Sequence, residues 1–143
     1  MPKLDDQAAL GGVTEGKVVW DINAENPVKL SRQLQVIART YNDLLRQDVK
    51  PLMVFTFRGP STTFITRDNS KFAGEALAAV EQIQSSLWNL ADKEGVTLEV
   101  CAIASNRMGV TPEALLECAP LVGNTFCSLI GYQAKGYALI PVY

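Results

Sequence analysis

Near-continuous apolar runs alternate with amphipathic stretches along this chain, and that alternation restricts the folds open to it. Lys17-Val18-Val19-Trp20-Asp21-Ile22 reads as a strand covered on both faces, because its apolar residues run together instead of alternating. Asn23 to Pro27 follows. Asn26 suits a helix N-cap and Pro27 the first helical position. Leu30, Leu34, Ile37, Ala38, Tyr41, Leu44 and Leu45 then recur at helical spacing, which predicts an amphipathic helix over residues 27–47. Val49 to Phe57 forms a second strand with Pro51 near its start, and Arg58-Gly59-Pro60-Ser61 breaks it. Residues 62–69 fit neither period. Ala73, Ala76, Leu77, Val80, Ile83, Leu87, Trp88 and Ala91 mark a second long helix, stopped by Gly95.

A third strand is expected from Thr97 to Ile103, and a short helix opens at Thr111-Pro112-Glu113 with Thr111 as its cap. Leu121-Val122 is a short fourth strand, residues 125–134 another short helix ended by Gly136, and Tyr137 to Val142 a fifth strand. Pro141 marks that last strand's end or a sheet edge. This order implies an α/β fold: a three-layer sandwich with a mainly parallel sheet of about five strands and helices on both faces. The first fifteen residues are polar and aperiodic, so the expected organisation is a flexible tail over 1–15 and one domain over 16–143. In such sheets the working crevice lies beyond the carboxyl ends of the strands. Three segments meet that rule: Asn23 to Asn26, Arg58 to Ser61, and Ala104 to Met108.

The net charge is −2, from 13 basic and 15 acidic residues, with no basic stripe, so neither nucleic acid nor an anionic membrane is an expected partner. The chain contains no histidine. Ser-His-Asp triads, Cys-His pairs and His-ligated metal sites are therefore excluded, and no metal site or organic cofactor is expected. The three cysteines, at 101, 118 and 127, form no C-x-x-C pair and no disulfide framework. That usage fits a reducing compartment. With no apolar run of membrane-spanning length and no apolar leader, the chain reads as cytoplasmic. A periplasmic setting follows if a leader has been removed.

Cys101 has two readings. As one of the most buried residue types, a free cysteine in a parallel strand fills core space. Yet it lies near the strand's carboxyl end, with Arg107 and a run of backbone N–H groups following, and those groups favour a thiolate. Cys118 and Cys127 are expected to pack. In FRGPSTTF a single glycine without a Lys-Ser/Thr pair makes a strand-ending turn, not a phosphate loop.

The segment GVTLEVCAIASNRMGV resembles the strand and turn that hold the active cysteine in the DsrE/DsrF-like sulfur-relay family. LIGYQAKGYALIPVY is similar to the Gln-x-x-Gly-Tyr-Ala-x-Ile-x-Pro ending of its small members, and WDINAENPVKL and VFTFRGP to their first two strand-loop units. The resemblance covers residues 17–143. It implies a YchN-like α/β fold, a homotrimer or hexamer, and sulfur held as a persulfide on Cys101, received from and passed to donor and acceptor proteins or small persulfides. Arg107 and Gly109 match the turn behind the cysteine. Ser105 and Asn106 fall where family members vary, and Asn23 and Gly59 are expected to shape the pocket. The alternative is a non-catalytic binding or assembly module of the same fold with Cys101 buried.

Overall fold

The computed structural model describes residues 4–143. One parallel sheet runs through it, built from β1 (Glu15–Ile22), β2 (Lys50–Phe57), β3 (Val96–Cys101), β4 (Leu121–Val122) and β5 (Ala138–Val142), in the order β4-β3-β2-β1-β5. All four pairings are parallel. The helices are α1 (Gln7–Leu10), α2 (Pro27–Arg46), α3 (Gly74–Ala91), α4 (Ala102–Arg107) and α5 (Thr125–Ala134), with 3-10 turns at Gly59–Phe64 and Pro112–Ala114.

The chain steps from β1 to β2 to β3 in one direction, so right-handed crossovers put α2 and α3 on the same face, where they pack together. It then returns to the far edge to form β5, which sends α5 to the opposite face. Side-chain alternation matches the two faces. Val18, Trp20 and Ile22 of β1 and Met53, Phe55 and Phe57 of β2 enter the large core with Leu30, Leu34, Ile83 and Leu87. Val19 and Val54, one residue out of phase, meet Leu129 of α5 in a smaller core.

Local signals explain most boundaries. The Asn26 side chain accepts from Val28 N–H at 2.9 Å and Lys29 N–H at 3.2 Å, fixing the start of α2. Gly95 stands at φ +80°, and a Cβ there would fall 2.5 Å from the Pro51 carbonyl oxygen, so only glycine turns the chain into β3 at that point. Pro141 sits in β5, an edge strand where its missing donor leaves no gap in the sheet.

Three expectations change. The segment read as a tail contains the helical turn α1, and Lys50 N–H donates to the Thr14 carbonyl; residues 1–3 of that segment lie outside the described residues. The third strand ends at Cys101, and Ala102–Arg107 forms a helix where a strand end and polar loop were expected. The helix expected at Thr111 is a single 3-10 turn, and the Thr111 side chain makes no capping bond. Residues 62–69, without a period of their own, are held by tertiary bonds: the Gln84 amide donates to the carbonyls of Phe64 and Thr66 at 3.0 and 2.8 Å.

Candidate functional site

Alternation along β3 sets the site. Leu98 and Val100 point into the large core, so Glu99 and Cys101 point to the α5 face. Glu99 accepts hydrogen bonds from Ser128 Oγ at 2.6 Å and Tyr132 Oη at 2.8 Å, both on α5. Burial first, then the Glu99 bond and charge, push the Tyr132 phenol up to about 12. This clamp seats α5 so that its first residue, Thr125, stands against Cys101.

Cys101 is the last residue of β3 and the cap position of α4. It is 5% exposed, and it lines an open cleft of about 390 Å³. Burial raises its thiol. The N–H groups of Thr125 and Ala104, the Thr125 hydroxyl and the Ile103 N–H outweigh that and hold the thiol below its ordinary 9.0. Asn124 caps α5 through Phe126 N–H at 3.0 Å. Thr125 is 1% exposed, so its hydroxyl is sealed from bulk water beside the Cys101 sulfur.

Arg58, at the end of β2, forms another wall of the cleft. Its Nε and Nη2 donate to the two carboxylate oxygens of Asp21 at 2.8 and 3.2 Å, and its guanidinium lies 5.1 Å from the centre of the Phe126 ring. The Asp21 hydrogen bond raises the Arg58 pKa, burial opposes it, and the charges of Asp21 and the Cys101 thiolate add to the rise. Gly59 follows at φ +60°, where a Cβ would fall 2.2 Å from Asn23 Oδ1.

The structure thus brings Cys101, Arg107 and Gly59 to one cleft. Asn23 packs behind Gly59 and supports the turn without lining the cleft. Ser105 and Asn106 open onto a separate groove with Gly109, Val110 and Thr111, and Ser105 is only 2% exposed. They do not join the site, because α4 turns its successive residues to different sides. Arg107 reaches the cleft alongside Arg58, on which the Cys101 thiolate exerts the smallest of several influences. Sequence reasoning placed the Arg58 to Ser61 segment at the crevice without singling out Arg58, and it missed Asn124, Thr125 and Phe126 as site residues. The Asn124 cap ahead of a helix was the available signal.

Cys118 is half-buried against the large core, and burial pushes its thiol up. Cys127 was expected to pack but is exposed, as are its α5 neighbours Phe126 and Ile130, so this apolar helix buries only part of its surface. In the turn after β2, Ser61, Thr62 and Thr63 hydroxyls donate to the carbonyls of Arg58, Gly59 and Pro60, which commits them to the turn. Among the described residues no group of three or more Cys, Asp or Glu stands close enough to hold a metal ion, and no helix is long and apolar enough to cross a membrane.

A parallel three-layer α/β sandwich with a strand-end thiol beneath a helix N-terminus defines the class: a YchN-like fold with a cysteine site. The sequence model of the DsrE/DsrF-like family matches residues 17–142, and the chain belongs to that family, which is associated with sulfur relay. Two solved structures share the fold. A protein of unknown function from Methanobacterium thermoautotrophicum is 16% identical with a TM-score of 0.69, over 88% of this chain and 98% of that one. The ychN protein from E. coli is 9% identical with a TM-score of 0.55, over 90% of this chain and 99% of that one. No curated protein matches the sequence.

Proposed function

We propose that the protein is a sulfur carrier, with Cys101 as the atom that holds sulfur. The supporting observation is Cys101 in the lining of an open cleft, with its ionised form favoured by Thr125, Ala104 and Ile103. The Cys101 thiolate attacks the sulfane sulfur of a donor persulfide. A new S–S bond forms to Cys101, and the donor's S–S bond breaks with its electron pair leaving on the donor thiolate. An acceptor thiolate then attacks the outer sulfur, and Cys101 departs as a thiolate. The exchange conserves electrons and needs no histidine base. Donor and acceptor are partner proteins or small persulfides, the assembly is a homotrimer or hexamer, and the setting is a reducing, cytoplasmic one.

Intact mass after incubation with a small persulfide tests this. Wild type gains one sulfur atom and Cys101→Ser does not; no gain on wild type, or equal gain on both, defeats the reading. The 5% exposure of Cys101 favours a second reading, a binding or assembly module whose cysteine is core. Under it, Cys101 reacts with a thiol reagent only after denaturation.

A further inference from the structure

We infer that the surface around the mouth of the Cys101 cleft docks a partner protein through an apolar segment that carries a carboxylate. The distribution of charge along the chain points there first. The chain holds 13 basic and 15 acidic residues, yet residues 100–112 and 121–134 together hold one charged side chain, Arg107. These two segments supply α4, α5 and most of the cleft lining. Depletion of charge around aromatic, Met and Arg side chains is the composition of an interface centre, not of a solvated surface.

Large apolar side chains stand in solvent on the same surface. Ile103, Met108 and Phe126 are exposed, and all three line the cleft. Ile130, 70% exposed, lies one helical turn beyond Phe126 on the same side of α5 and carries the patch out of the cleft. Phe126 is also held in place, because Asp21 fixes Arg58 and the Arg58 guanidinium sits over the Phe126 ring. A ring ordered before binding loses little freedom on docking.

Arg107 selects the occupant. It is exposed and has no acidic partner among the described residues, while the Arg58 charge is already matched by Asp21. A second copy offering this same face brings no carboxylate, since neither segment contains one. A copy seated there would also cover the cleft that Cys101 lines. An acidic, apolar segment of another protein meets both the Arg107 charge and the apolar side chains around it. The inference deepens the carrier reading by giving the chemistry of the exchange partner's docking segment, and it rests on that reading for the partner's purpose.

Fluorescence polarisation of short labelled peptides tests the inference, with the Cys101→Ser protein so that no sulfur chemistry enters. One peptide alternates leucine with aspartate, one leucine with lysine, and one serine with aspartate. The leucine–aspartate peptide binds about tenfold more tightly than the serine–aspartate peptide and about threefold more tightly than the leucine–lysine peptide. Ile130→Ser, a change in a solvent-facing side chain, weakens it about tenfold. Arg107→Glu reverses the order of the aspartate and lysine peptides, which a purely structural role for Arg107 would not do. Equal binding of all three peptides, no binding at millimolar peptide, or no effect of either substitution overturns the inference. So does a native assembly that binds no peptide and is split by Ile130→Asp in light scattering, since the face then belongs to a second copy. Loading of wild type by a small persulfide is read separately by mass, so docking can stand while loading fails, and the reverse.

Discussion

Arg58 and Asp21 meet side-on across neighbouring strands, with Nε 2.8 Å from Oδ1 and Nη2 3.2 Å from Oδ2. Both side chains are largely shielded, at 28% and 12% exposure, so the pair is not a solvent-screened surface contact. Asp21→Asn removes the charge that orients Arg58 and leaves the guanidinium half-buried without its counter-ion. The variant should lose about 1–3 kcal/mol in urea unfolding. Arg58→Gln should raise the midpoint of the pH–alkylation profile of Cys101 only slightly, because the charge contact between the two is the smallest of those acting on Arg58 and the N–H groups around the sulfur remain.

The pH profile of the wild type separates two of the thiols. Cys101 should alkylate with a midpoint below 9.0, since the surrounding N–H groups outweigh its burial, and Cys118 with a midpoint above 9.0, since burial dominates there. Mass spectrometry of peptides after timed alkylation reads both. The same shift makes Cys101 a source of pH-dependent stability. Its native pKa is lowered, so its contribution is full above 9.0 and is lost as pH falls through the lowered native value. The stability gap between wild type and Cys101→Ala should therefore be wider at alkaline pH than at neutral pH.

Glu99 holds α5, the helix whose first residue meets Cys101. Glu99→Gln replaces an oxygen that accepts from Ser128 or Tyr132 with a donor, breaking one of the two bonds that seat the helix. The expected cost is about 1–3 kcal/mol. The Tyr132 phenol should titrate below its native value of about 12, and the Cys101 midpoint should rise as Thr125 moves away. A spectrophotometric phenol titration with a parallel alkylation profile checks both. Unchanged Cys101 reactivity in a variant with a lowered Tyr132 pKa would limit Glu99 to packing.

Gly59→Ala meets two penalties, a positive φ and an atom 2.2 Å from Asn23 Oδ1. Together they should destabilise the fold by about 1–3 kcal/mol. Adding Asn23→Gly removes the clash but not the backbone strain, so the double variant should recover part of the loss in urea unfolding. Full recovery would mean that φ contributes nothing.

The extent to which the sequence foretold this arrangement follows from the range of each interaction. Strands β1 and β2 and helices α2 and α3 were legible because burial on one stripe or both faces writes a period into consecutive residues. Cys101 and Gly59 were legible by position, since strand ends in parallel sheets are local features. The partners of Cys101 were not. Arg107 is near in sequence, but Arg58 and Thr125 reach the cleft only because β2 pairs with β3 and Glu99 pins α5. Ala102 and Ile103 continued the apolar run, so nothing local separated the end of β3 from the start of a six-residue helix. Ser105 looked like a polar loop residue, and the same unforeseen helix turned it inward.

Because Cys101 closes a strand and opens a helix with no loop between them, its sulfur stands on backbone held by regular structure on both sides. It has no swinging arm. Whatever reacts with it must project a slender group down to it, and a cysteine on a flat or recessed surface will not arrive. On the proposed carrier reading, shape would filter exchange partners before chemistry does, favouring small molecules and thiols mounted on protruding tails.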